Sequence, residues 1–193
     1  ISSGNHDMLT LKSTDADANS GPVFVLNRDS GSPADNDACG LIKFKADDDG
    51  GNSTELVNIS ASFKDVSNGA ESGEFNITTI LSGSQMNRFK TNAAETVLND
   101  DSGDIDFRVE SNAKTHSFFI DAGVDRTFIG ESADTNNDNG LTINQSTGDN
   151  TILAFKSSDV AHGVTSVMET DTYLKVSKSS ADSGGVNFTA GME

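Results

Sequence analysis

The sequence has no tryptophan, one tyrosine (Tyr173), one cysteine (Cys39) and two prolines (Pro22 and Pro33) in 193 residues. A single cysteine excludes an intrachain disulfide framework. Its flanks, "PADNDACG", are acidic and lack the basic neighbourhood that activates a thiol, so Cys39 reads as a small buried residue beside Gly40. No apolar run approaches the roughly 20 residues that cross a bilayer as a helix, and no basic-then-apolar signal peptide opens the chain. The chain therefore reads as soluble, with no membrane insertion. It begins at Ile1, not Met, and is expected to be part of a longer polypeptide or a processed product.

Basic residues are scarce as well. Thirteen Lys and Arg against thirty Asp and Glu leave a net charge of −17. That balance argues against nucleic acid and anionic membrane surfaces as partners, because both are bound through a basic face. It also strains any compact state by self-repulsion, which salt or bound cations relieve; a marine or otherwise saline setting fits. Apolar residues make up 34% of the chain. Adding glycine brings the share to about 43%, below the roughly 45–50% of ordinary globular domains. A core this lean gains by burying surface against further copies of the chain.

Catalytic signatures are missing too. No G-x-S-x-G marks a serine hydrolase and no G-x-x-x-x-G-K-[ST] cradles a phosphate. His6, His116 and His162 stand far apart, none with a metal-type partner at i+2 or i+4, and His162 in "AHG" reads as a loop residue. Paired carboxylates could cleave glycosides. Thirty acids make chance pairs unavoidable, however, and without Trp the lone Tyr173 offers little platform for sugar rings. The sequons at Asn52, Asn58, Asn76, Asn144 and Asn187 are expected by chance in a chain rich in Asn, Ser and Thr. No catalytic, cofactor-binding or metal-binding residue is assigned, receptor-binding residues are unknown, no cofactor is implied, and the chain is not expected to be an enzyme.

What is present is a rhythm of short strands and polar turns. Strands are expected at 8–12, 23–28, 41–46, 55–64, 74–80, 104–110, 117–121, 127–130, 141–145, 151–156, 173–178 and 185–190. In "ELVNISASFK", Val57, Ile59, Ala61 and Phe63 fall on one face; in "EFNITTI", Phe75 and Ile77 do; in "DIDFRVE", Ile105, Phe107 and Val109 do. Such period-two alternation marks a half-buried strand. Turns carry Gly after Asp, Asn or Ser, as in "DDGG", "SNG", "DSGD" and "DNG". The best helix candidate is "NAAETVL" (92–98), two turns at most. The fold class is therefore all-β: stacked short antiparallel modules, sandwich- or prism-like, elongated and completed by trimerisation. An echo between "LTLKSTDADANSGPVFVLNRDS" and "LTINQSTGDNTILAFKSSD" suggests duplication. It divides the chain into a first β module at 1–98, a short connecting unit at 99–139, and a second, truncated module at 140–193.

Two stretches open as calcium loops do. Asp15, Asp17 and Asn19 take positions 1, 3 and 5 of an EF-hand-type loop, but position 6 is Ser20 rather than Gly and position 12 is Leu26 rather than Glu. Asp134, Asn136 and Asp138 repeat the spacing, followed by Asn139 and, at position 12, Gln145, which cannot supply a bidentate carboxylate. The acidic cluster at 47–51, "DDDGG", matches no better. Solvated turns between strands are the favoured reading, since Asp and Asn bond their own backbone there. Weak cation binding between symmetry-related acidic loops stays open.

The stretches "LTLKSTDADANSGPVFVLNRDSGSPADNDACGLIKFKADDDGG", "NDDSGDIDFRVESNAKTHSFFIDAG" and "LTINQSTGDNTILAFKSSDVAHG" resemble the repetitive modules of tail-fibre and other appendage proteins of marine bacteriophages. The likeness spans most of residues 8–165 and is one of phrase and rhythm, with no catalytic motif. It implies a virion structural protein, an elongated homotrimer located in an extracellular appendage of the virion. It also implies contacts to other virion proteins and a role in host attachment through receptor binding to a surface glycan or protein. Three copies would carry −51, an obstacle at low salt that seawater screens. The alternatives are a capsid decoration or other virion-surface protein, and a bacterial surface adhesin or filament subunit.

Overall fold

The computed structural model describes residue 4 and residues 7–191. Among them no helix occurs; twelve strands form three sheets, so the chain is all-β. Two units divide the chain, Ile1–Asp101 and Ser102–Glu193.

The first unit is one five-stranded meander, β1 (Ala38–Asp47), β2 (Ser53–Asp65), β3 (Ser72–Leu81), β4 (Ser84–Thr91) and β5 (Thr96–Leu98), paired antiparallel in sequence order. Its turns follow local chemistry. In the loop after β1, Asp48 Oδ1 accepts from the amides of Gly50 and Asn52 at 2.9 and 2.8 Å. Between β3 and β4 only Ser82 (φ 49°) and Gly83 (φ 84°) intervene, both left-handed, as a two-residue hairpin turn with the strand twist requires. β4 escapes the sequence reading because "SQMNRFKT" has almost no apolar alternation.

No convincing helix is expected at 92–98 and none forms there; two other expectations are corrected in this unit. The Asn92 carboxamide accepts from the amides of Ala94 and Glu95 at 2.8 and 3.1 Å, which folds 92–95 into a turn and sends Thr96–Leu98 back along β4. A seven-residue helix has too few hydrogen bonds to offset nucleation, and the Asn side chain captures the amides first. Residues 8–12 and 23–28 have strand composition but belong to no sheet. Cys39 is exposed, not buried.

The second unit holds a four-stranded sheet, β6 (Phe107–Val109), β7 (Phe118–Asp121), β8 (Arg126–Ile129) and β9 (Gly140–Ile143), and a meander, β10 (Thr151–Lys156), β11 (Thr172–Ser180) and β12 (Gly184–Ala190). β8 and β9 run parallel, against the expected antiparallel modules. The return loop is held by Arg126, whose guanidinium donates to the carbonyls of Asp134 and Asp138 at 2.9 and 3.0 Å. Phe119 and Phe128 pair in register and stack at 5.8 Å, with Phe128 only 1% exposed. Residues 104–106 stay outside β6; the Asp106 carboxylate instead accepts from the Ala122 amide across the sheet. The echoed segments do not share a structure either. In the second, 141–143 and 151–156 join different sheets, and in the first neither counterpart is a strand.

Candidate functional site

The metal and histidine candidates fold into turns and packing. Both Asp17 oxygens are taken by Asn19, Oδ1 by its amide and Oδ2 by its carboxamide, each at 2.8 Å. The Asp15 Oδ1 accepts from the Asp17 amide. Asp134 accepts from the Asn136 amide and the Thr142 hydroxyl, both at 3.0 Å. These are self-bonded turns, and among the described residues no cluster of three or more His, Cys, Asp or Glu could hold a metal ion. His6 lies outside the described residues. His116 packs edge-on to Phe119 at 4.8 Å. His162 does lie in a loop but is buried. Its Nδ1 accepts from the Val164 amide and its Nε2 donates to the Thr172 carbonyl, which uses both ring nitrogens. Tyr173 is exposed beside Phe155. Sequons Asn58 and Asn76 sit on neighbouring strands β2 and β3, Asn52 and Asn144 bond within their loops, and Asn187 is on β12.

The turn carboxylates set an acid limit. Amide donation from Asn19, Asn52 and Asn136 holds Asp17, Asp48 and Asp134 below the usual 3.8, since each bond favours the charged form. A depressed folded value means the stabilisation is complete above the unfolded value and lost as pH falls through the lower folded one. The melting temperature is therefore expected to hold level from about pH 8 to 5 and to fall below about pH 4. Asp134→Asn should flatten that acid limb in the second unit. A Tm-against-pH series in wild type and variant checks it; identical acid limbs would remove Asp134 from the account.

A different feature stands out once the sheets are laid in register. Across the first unit, Ile42, Ile59, Ile77, Phe89 and Leu98 form one continuous cross-strand row, one residue from each of the five strands. Phe44 and Val57 flank it on one side; Ala61 and Phe75 flank it on the other. The reverse face is more polar, with Lys43, Asn58, Thr78 and Asn87 in one row and Leu41, Ser60, Asn76, Lys90 and Val97 in the next. Lys43 pairs with Glu55 at 2.6 Å and Lys90 with Asp100 at 2.7 Å. The sheet is thus amphipathic in the way a core-forming sheet is, yet among the described residues of this unit none is buried. Ile42 and Leu98, the two ends of the row, are 40% and 50% exposed. In the second unit the meander repeats the pattern. Leu153, Val176 and Phe188 make one row, and Phe188 stands open to solvent.

Accessible area measures how far the chain is from closing on itself. Its surface is 13808 Å². A single folded monomer of 20.2 kDa would expose about 8,800 Å², and two independent units of half that mass about 10,600 Å² together. The excess is at least about 3,200 Å², above the roughly 1,200–2,000 Å² buried in a standard interface.

Beside the central row the sheet face dips. Gly73 contributes no side chain, and a trough of about 420 Å³ opens between Cys39, Ala61, Phe63, Glu74, Phe75 and Thr91. Leu26 sits over Gly40, which follows Cys39 and pairs with Ala61. A methyl group on Gly40 would lie 2.9 Å from the Leu26 Cβ. The Cys39 thiol donates weakly to the Leu26 carbonyl, and Arg28 donates to the Ala38 carbonyl and pairs with Asp37. The row and trough combine residues that alternation marks with a glycine that it does not; only register shows that they coincide. No protein-family model, curated protein or solved structure matches the chain.

Proposed function

We propose that this chain is a structural, non-enzymatic β segment of a phage tail fibre or similar virion appendage, which works as a homotrimer and contributes to host-surface attachment. One observation carries the reading: amphipathic sheets whose apolar faces stay largely open among the described residues. Covering those faces against sister copies removes apolar surface from water, which favours association. Exposed Asp, Asn, Ser and Gly turns then offer hydrogen bonds to a glycan or protein, and display from three chains multiplies weak contacts.

Sedimentation equilibrium across salt tests it. Charge repulsion between copies at −17 each reaches about 30 Å at 0.01 M salt and about 3 Å at 1 M. Raising NaCl over that range should tighten self-association at least ~10-fold and settle on a three-chain mass. A 20.2 kDa monomer at every salt concentration would sink the proposal. Negative-stain images of particles labelled with an antibody to the chain should mark an appendage; label confined to the shell would assign it to capsid decoration instead.

A further inference from the structure

We infer that the trough on the apolar sheet face of one copy takes Val23, Phe24 and Val25 of a second copy. The inference rests on the self-associating reading above and names its contact. Val23, Phe24 and Val25 are 66%, 58% and 69% exposed, so all three side chains of this tripeptide face water. Among the described residues no backbone hydrogen bond joins it to another part of the chain. A β-branched and aromatic run has the composition of a strand, and here it has no sheet.

The chain itself shows how such a segment sits on this face. The next residue, Leu26, already rests on Gly40, the neighbour of trough-lining Cys39 and Ala61, and the Arg28 contacts pin the segment there. What remains open is about 420 Å³, within the range of sites that enclose apolar groups. Charge selects the same pairing. Residues 18–28, "ANSGPVFVLNR", hold no acid and one Arg, the apolar rows hold no charge, and the one carboxylate that lines the trough, Glu74, is paired with Lys64 at 3.6 Å. In a chain at −17, these two surfaces meet without the repulsion that opposes other approaches. The uncovered area of at least about 3,200 Å² is what a stable self-assembly needs, and a second copy brings both halves at once. An unrelated partner would have to supply a neutral apolar strand of its own.

The test compares wild type, Phe24→Asp/Val25→Asp, and a charge-matched control, Thr147→Asp/Ser158→Asp, at two exposed polar positions. Self-association is read by sedimentation equilibrium in 0.5 M NaCl (about seawater strength). Trough occupancy is read by the rate at which a maleimide modifies Cys39, which lines the trough and is exposed in the single chain. Far-UV circular dichroism checks that the fold persists, as expected for residues with more than half their surface in water. The apolar-segment variant should dissociate with a Kd at least ~100-fold higher, about 2.7 kcal/mol, and its Cys39 should react at least ~10-fold faster than in assembled wild type or control. If the variant assembles as tightly as the control, the inference falls while self-association stands. If it dissociates but Cys39 reacts equally fast in the wild-type assembly, the segment binds elsewhere and the trough is wrong. A wild type that is monomeric throughout overturns this inference together with the function it rests on.

Discussion

Gly130→Ala is expected to lower the melting temperature of the second unit by at least ~12 °C. Gly130 leaves β8 at φ 76°, where a side chain costs about 1–2 kcal/mol. The added methyl would also lie 2.4 Å from the Asn144 carbonyl oxygen and 2.9 Å from the Lys114 ammonium. The lysine can swing away. The carbonyl cannot, because the Asn144 amide donates to the Ile129 carbonyl at 2.8 Å and continues the parallel pairing of β8 with β9. Relief therefore means separating the two strands, and with them the loop that Arg126 organises. Strain plus a broken ladder comes to at least about 3 kcal/mol, at 4–8 °C per kcal/mol for a unit of this size. Gly184→Ala is the control. It has a similar φ of 75° but nothing within 4 Å, so it should show the strain alone. Equal losses for the two variants by thermal circular dichroism would refute the steric account.

The second large effect belongs to assembly. Ile42→Asp/Leu98→Asp places a carboxylate at each end of the five-strand row. In the single chain both positions are substantially exposed, so the cost there is limited to strand propensity and partial burial, about 1 kcal/mol each. Once a sister copy covers the face, each carboxylate must lose its water without a cation in the row to pair with. Uncompensated burial of charge costs several kcal/mol per group. The dissociation constant should rise by at least ~1,000-fold, about 4 kcal/mol, while circular dichroism keeps its β signature. Sedimentation equilibrium decides it. A double variant that associates like wild type would mean that this face meets solvent in the working protein.

Strand positions were largely legible in the sequence where period-two alternation is long. Residues 55–64, 74–80 and 151–156 fall within or match β2, β3 and β10. Composition misled where no neighbour exists to pair with. "VFVLNR" reads as a strand, but among the described residues no strand pairs with it. Alternation was silent at β4, whose place comes from the Ser82–Gly83 turn and from pairing with β3. At 92–98 a weak helix pattern lost to one Asn side chain that bonds two amides.

Composition and pattern by themselves determined that this chain is all-β, acidic and thinly apolar, because strand period, charge and apolar content are local or additive quantities. They also favoured turns over calcium loops, since the ligand positions needed for calcium are simply missing. Only the tertiary structure decided which apolar residues fall into one row, that the row lies open, and that a trough lined by Gly73 opens beside it. Those depend on strand register, on a parallel pairing through a ten-residue return, and on what is left uncovered after every local preference is met. None of these is a property of any one stretch of sequence.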